Sequence, residues 1–385
     1  MIVTLIEKVY SFLWGDLVQI PLPGGSTLGI SLLIILLIPT GIYFTVRTRF
    51  LPIRLFPDMV QALVEKKQEK NSLSSFQTLI VSTATRVGMG NLVGVVAAIS
   101  AGGAGAVFWM WVTAIIGSST AFIEATLAQL YKEKDPLYGG YRGGPAYYIH
   151  AYVEEKQKKK RNKVVISVLF AISGLICWCG ISQVISNSVS SAFENAFQVP
   201  PLATTVVLTL LAALIVLRKN ATVKSLDVMV PIMAVCYFVL TVGILVVICS
   251  CTAFLMLLVP QDLTAGLSGM DLLQTAMQYH LGGFGTVFIA ATLALFSFST
   301  FLGVLYYARG NVAYLCGDNW WSQTVYKLIA LVMLLIGGLQ AYTVVWDLGD
   351  VGIGLMTIFN MLALYPLSGE ALTALREYEA KKKLK

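Results

Sequence analysis

The chain has 385 residues, 57% of them hydrophobic and only 12% charged, where a soluble domain carries about 25% charged residues. Apolar runs of membrane-spanning length recur from Thr27 to Pro366, which excludes a soluble protein with a large core and implies one polytopic membrane domain. The formal charge of +7 does not indicate a nucleic-acid partner, because the basic residues fall in short blocks between apolar stretches.

Residues 1–20 set Glu7, Lys8 and Asp16 against Leu5, Val9, Phe12, Leu13 and Leu17. That pattern predicts an amphipathic helix at the membrane interface, anchored by Tyr10 and Trp14 and ended by Pro21, Pro23, Gly24 and Gly25. The interfacial segment is thus 1–25. A first span is expected at about 27–46, followed by a loop with Arg47, Arg49, Arg54, Lys66, Lys67 and Lys70.

Residues 74–100 have membrane length but are interrupted at the centre by Thr85, Arg86, Gly88, Gly90 and Asn91. A helix broken at membrane depth is tolerable only where its freed carbonyls and amides meet protein, water or a bound solute. Secondary transporters place ion and substrate sites at such breaks. Small residues also serve helix packing, which is the plainer explanation of the glycines. Gly102-Gly103 turns the chain, and 105–131 returns with Glu124 at membrane depth. Glu124 is the natural ion-pair partner of Arg86, and a proton-carrying role is its alternative.

A long basic loop containing Gly139-Gly140-Tyr141-Arg142-Gly143-Gly144-Pro145 leads to spans 164–191 and 201–217. The block 226–259 is too long for one ordinary helix and barely long enough for two. Loop 218–224 is basic, whereas 260–281 has no Lys or Arg, so one long, bent or tilted crossing keeps both loops on their preferred sides. Spans near 284–308, 324–340 and 350–367 follow, giving about nine crossings, an outside N-terminus and a cytoplasmic tail at 371–385. The six cysteines lie mostly in apolar runs, and neither Cys177-Trp178-Cys179 nor Cys249-Ser250-Cys251 has metal-ligand spacing. Asp347 and Asp350, near an outer loop, suit helix caps or a rim charge. No phosphate loop or nucleophile motif is present, so no enzyme activity is expected.

Several stretches together resemble the alanine or glycine:cation symporter family. They are Ser75-Phe76-Gln77 leading to Val87-Gly88-Met89-Gly90-Asn91, then Gly105 to Thr113, Gly143 to Ile149, Trp346-Asp347-Leu348 and Asn360 to Leu364. The resemblance implies an all-α membrane protein with a LeuT-like inverted-repeat transporter fold. Its transport domain would span 26–370, with a first repeat at about 74–245 and an incomplete second at about 246–367. It implies sodium-coupled symport of alanine, glycine or a similar small neutral amino acid by alternating access, with a monomer in the prokaryotic cytoplasmic membrane. Sodium would be the coupling ion and no other cofactor is implied. By the same resemblance Ala84 and Val87 would offer sodium carbonyls, joined by the Phe296 carbonyl and the Ser299 and Thr300 hydroxyls. Thr85, Gly88, Gly90, Asn91 and Gln183 would face the substrate.

Two departures stand out. Such carriers have a second broken helix that is missing here, so 226–259 reads as the seam of an internal deletion between about Thr241 and Val247. The family glutamine falls at Ile185, with Gln183 two residues earlier. A carrier relative that binds but does not transport is therefore the alternative.

Overall fold

The computed structural model describes residues 2–21, 27–58, 61, 88–137, 141–217 and 245–383. Among these, the protein is all-α apart from two small hairpins. Helix α1 covers Ile2–Trp14, strands β1 (Asp16–Pro21) and β2 (Thr27–Ser31) pair antiparallel, and α2 (Leu32–Arg47) and α3 (Leu51–Arg54) follow. After a 3-10 turn at Met89–Asn91 come α4 (Val93–Gly102), α5 (Gly105–Leu130), the hairpin β3–β4 (Glu133–Lys134 and Tyr141–Arg142) and α6 (Pro145–Gln157). Then run α7 (Val165–Phe197), α8 (Pro201–Val216), α9 (Leu245–Leu257), α10 (Gln261–Thr264) and α11 (Gly269–Leu281). The last three are α12 (Gly283–Cys316), α13 (Trp320–Gly337) and α14 (Tyr342–Lys383).

Five of these, α5, α7, α12, α13 and α14, are long and apolar enough to cross a membrane. The most apolar stretch of α5 is only 17% buried, against 44% for α7 and 50% for α12 and α14. Of the five, α5 is therefore the most peripheral, and the more buried α7, α12 and α14 lie nearer the centre.

Helix boundaries follow local chemistry. The Ser31 hydroxyl accepts from the Ile34 amide at 3.3 Å to start α2, and the Asn319 side chain caps α13 by accepting from the Ser322 amide at 2.8 Å. Gln198 takes a left-handed turn, φ 57°, that ends α7 before Pro201 opens α8.

Three expected boundaries differ. Residues 16–21 form a strand instead of continuing the amphipathic helix, because Val18 to Pro21 pair residue by residue with β2. Helix α1 does not lie free at the interface: Leu13 is fully buried beside Gly354, and the Trp14 indole donates to the Asp350 carbonyl at 3.1 Å. The last span is not 350–367 with a separate tail but one helix from Tyr342 to Lys383, passing through Pro366. Ala, Leu, Glu and Lys beyond Pro366 are strong helix formers, so the tail continues the coil. Of the 226–259 block only Leu245 onward is described; Thr241 and the proposed seam lie outside the described residues.

The two sides of the molecule differ in charge as the loops imply. One end gathers Arg54 against Glu379 at 2.6 Å, Lys382 against Asp58 at 2.5 Å, and Arg142 against Asp318 at 3.0 Å. Arg309 is paired with buried Asp135 at the same end. Within the bundle, Tyr148 donates to the Asn360 carbonyl oxygen and the Asn360 amide donates to Glu124, tying α6, α14 and α5 together. Arg86, the partner expected for Glu124, lies outside the described residues.

Candidate substrate and cation site

Of the expected interruption, Gly88 and the residues after it are described. Gly88 is extended (φ −143°, ψ −153°), Met89–Asn91 make a single 3-10 turn, and α-helix resumes only at Val93. An α-helix through this point would have bonded these amides internally. Instead the Met89 amide donates to the Thr300 hydroxyl of α12 at 3.2 Å. One side-chain oxygen of a neighbouring helix thus takes the amide that opens this turn.

Helix α12 presents Phe296, Ser299 and Thr300 at spacings of three and four, hence on one face. Ser299 and Thr300 are buried, and the Ser299 hydroxyl also donates to the Phe296 carbonyl at 2.8 Å. Ser297 is fully buried, with its hydroxyl 3.9 Å from the Met89 sulfur. The structure thus brings the break and the polar cluster of α12 together. Ala84, Thr85 and Val87 lie outside the described residues.

Asn91 accepts weakly from the Cys249 thiol at 3.6 Å, and its amide nitrogen is buried with no partner among the described residues. Gly90 is exposed, and a methyl group added there would touch nothing within 4 Å. Gln183 is placed elsewhere: its amide donates to the Met333 sulfur at 3.1 Å, on the side of α7 that packs against α13. There Gly337 lets the backbones approach so closely that a Cβ on it would sit 2.3 Å from the Gln183 Cα.

A cavity of about 320 Å³ opens beside the break, lined on the chain's side by Met89, Gly90 and Gly94. Its other walls come from the central helices. Trp178, Ile181 and Val184 of α7 face Thr300, Val304 and Tyr307 of α12, with the Trp178 and Tyr307 rings stacked at 6.0 Å. Trp346, Gly349, Asp350 and Ile353 of α14 close the third side, a stripe at helical spacing. Glycines set the separation of α7 and α14: Gly180 meets Gly349, and Gly352 meets the backbone of Cys177. Asp350, expected at a rim, is a wall residue of this cavity. Its distance from the break in sequence concealed that placement, and the only sequence signal was its spacing of four from Trp346.

The model of the sodium:alanine symporter family matches residues 24–247 and 245–385. The chain belongs to this family. Among its relatives, the "Probable sodium/glutamine symporter GlnT" of Bacillus subtilis (strain 168) is 33% identical, with 92% of this chain and 89% of that protein covered. The "Amino-acid carrier protein AlsT" of the same organism is 30% identical over 90% and 89% of the two chains. The "Sodium/alanine symporter AgcS" of Methanococcus maripaludis is 26% identical over 98% and 99%.

The protein is accordingly a membrane carrier of a family devoted to sodium-coupled amino-acid symport, and not an enzyme. Two further facts bear on the carrier's architecture. The family's two matched segments meet at 245–247, where α9 begins. The alignment with GlnT runs over 435 residues, more than the 385 of this chain, so it crosses positions that the relative has and this chain lacks.

Proposed function

We propose that the protein carries small amino acids into the cell by alternating access, driven by sodium, with ion and substrate meeting at the broken helix. The observation that carries this reading is the Met89 amide bonded to the Thr300 hydroxyl, beside extended Gly88 and a 320 Å³ cavity. A hard cation needs oxygen ligands, and the Phe296, Ser299 and Thr300 oxygens supply three on one face of α12. Carbonyls of Ala84 and Val87 would supply the rest on the opposite strand of chain. Gly88, Gly90 and the freed amides hold the substrate carboxylate, with Thr85 and Asn91 beside them. Gln183 would join them only by leaving Met333, so Trp178 and Ile181 are the α7 residues that serve the substrate here.

The wider architecture in this reading is a LeuT-like inverted repeat with about nine crossings and a cytoplasmic C-terminus. Its first repeat spans about 74–245 and its second, 246–367, lacks the second broken helix. Basic residues gathered at one end support that orientation in the cytoplasmic membrane of a prokaryote. A monomer suffices, because the cavity is walled by helices of one chain. Sodium favours the outward-open, substrate-competent state, which is what couples the two fluxes.

The test is uptake into proteoliposomes of alanine, glycine and larger neutral amino acids under an inward sodium gradient. Accumulation above equilibrium supports the reading, and equal uptake in potassium alone overturns it. The second reading, a relative that binds without transporting, is favoured by the family segments meeting at 245–247. Sodium-dependent binding without accumulation would select it.

A further inference from the structure

The cavity wall has one feature that binding a plain aliphatic amino acid leaves unused. Among its described lining residues there is a single ionisable acid, Asp350, and no Lys, Arg or His. The other walls are aromatic, aliphatic or glycine, apart from Thr300, whose hydroxyl already accepts from the Met89 amide. The Asp350 backbone carbonyl is taken by Trp14, and among the described residues no hydrogen bond or ion pair reaches its carboxylate. On the facing helix the Trp178 indole nitrogen is buried, also with no partner among the described residues.

A half-buried carboxylate in a mostly apolar wall, with no donor among the described residues, is placed to accept from a group that enters the cavity. In the transport reading given above, the ammonium and carboxylate common to all amino acids are held at the break. Asp350 and Trp178 lie on α14 and α7, opposite that break across the cavity. There they offer an acceptor and a donor to the substrate's side chain. We propose that Asp350 is a specificity-determining residue that makes this carrier select amino acids whose side chain donates an N–H, as a carboxamide or an ammonium. The inference rests on the transport reading given above and narrows its substrate class from small neutral amino acids in general to those bearing such a donor.

The two chemistries differ in what Trp178 contributes. A carboxamide gives its NH2 to Asp350 and accepts at its carbonyl from the Trp178 indole. An ammonium uses Asp350 alone, with Trp178 and Tyr307 as aromatic faces for the cation.

The experiment is sodium-dependent binding to the full-length protein in detergent, read as the ligand-induced rise in melting temperature, with alanine, glutamine and lysine as probes. Wild type is expected to bind glutamine or lysine more tightly than alanine. Asp350→Leu is expected to lower that preference by roughly tenfold to a hundredfold, the worth of one hydrogen bond to a charged group. Asp350→Asn keeps a carboxamide partner and loses the charge, so it separates the probes: lysine suffers most if the ammonium is the ligand group, glutamine little. Each variant's own melting temperature without ligand shows that it is folded.

Equal loss for alanine, glutamine and lysine would overturn the proposal and move Asp350 to the common α-ammonium. A change in the sodium requirement alike for all probes would overturn it in favour of a cation site. Wild type preferring alanine would overturn it directly. If no amino acid binds wild type in sodium, the transport reading fails first, independently of Asp350.

Discussion

Replacing Gly352 by alanine should separate the two helices that shape the cavity. The added Cβ would lie 2.3 Å from the Cys177 nitrogen, 2.4 Å from its Cα and 2.6 Å from its Cβ. Carbon atoms rest at about 3.5–4.0 Å, so α7 and α14 must part locally by roughly 1 Å. The atoms in the way are backbone and Cβ, so no rotamer change relieves them. Overpacking costs about 1–3 kcal/mol where side chains can adjust, and here the upper end applies. One turn away, Gly180 and Gly349 share the same contact, with a Cβ on Gly180 only 2.3 Å from the Gly349 nitrogen. The strain therefore spreads to the cavity walls, Trp178 and Ile181 on one side and Trp346 and Asp350 on the other. Substrate affinity should fall about tenfold, the equivalent of about 1.4 kcal/mol. The control is Gly369→Ala on the same helix, where nothing lies within 4 Å of the new Cβ and the exposed helical site should gain about 0.5–1 kcal/mol. Melting in detergent and sodium-driven uptake read both effects. If Gly352→Ala melts and transports like wild type while Gly369→Ala does no better, the close backbone approach of α7 and α14 is wrong.

Thr300→Val removes the acceptor of the Met89 amide and one proposed sodium ligand. The sodium concentration for half-maximal uptake should rise about tenfold and be restored by Thr300→Ser, and an unchanged sodium titration would refute the assignment of α12. Arg309→Gln takes the guanidinium from buried Asp135 while Asp318 keeps Arg142, and about 1–3 kcal/mol of stability should be lost. Wild-type melting would contradict that. Asn360→Leu removes the acceptor of the Tyr148 hydroxyl and one donor to Glu124, and should cost about 1–3 kcal/mol by the same melting assay. At the surface end of α6, the Arg161 amide donates to Glu154 at 2.6 Å and holds its carboxyl below the usual glutamate range. Because the folded value is depressed, this local support is complete above the ordinary glutamate range and fades as pH falls through the lowered value. Hydrogen exchange at the Arg161 amide should accelerate in acid, and Glu154→Gln should abolish that pH dependence.

The membrane character, α5, α7, α8, α12 and α13 to within about two turns, and the non-helical backbone at Gly88 were legible in the sequence. Each rests on local chemistry: apolar length, proline and glycine punctuation, and the inability of a Gly-x-Gly-Asn run to sustain a helix in lipid. Local pattern also misled. The alternation at Asp16–Ile20 suits a strand or a helix flank equally until β2 is there to pair with it, and Pro366 looked like an end although α14 runs on to Lys383.

Which polar groups meet one another was beyond the sequence. Asp350 and Gln183 are each set within mostly apolar stretches, yet the first faces the cavity and the second the Met333 sulfur. That choice is made by the rotation of α7 and α14, which the contacts of Gly180, Gly337 and Gly352 lock in place. Sequence alone determined that the chain crosses a membrane and that Gly88 carries non-helical backbone, because both follow from what a segment can satisfy by itself. Only tertiary packing decided that the broken chain docks on Thr300 and that a carboxylate stands in the opposite wall, because those facts depend on how far apart neighbouring backbones are held.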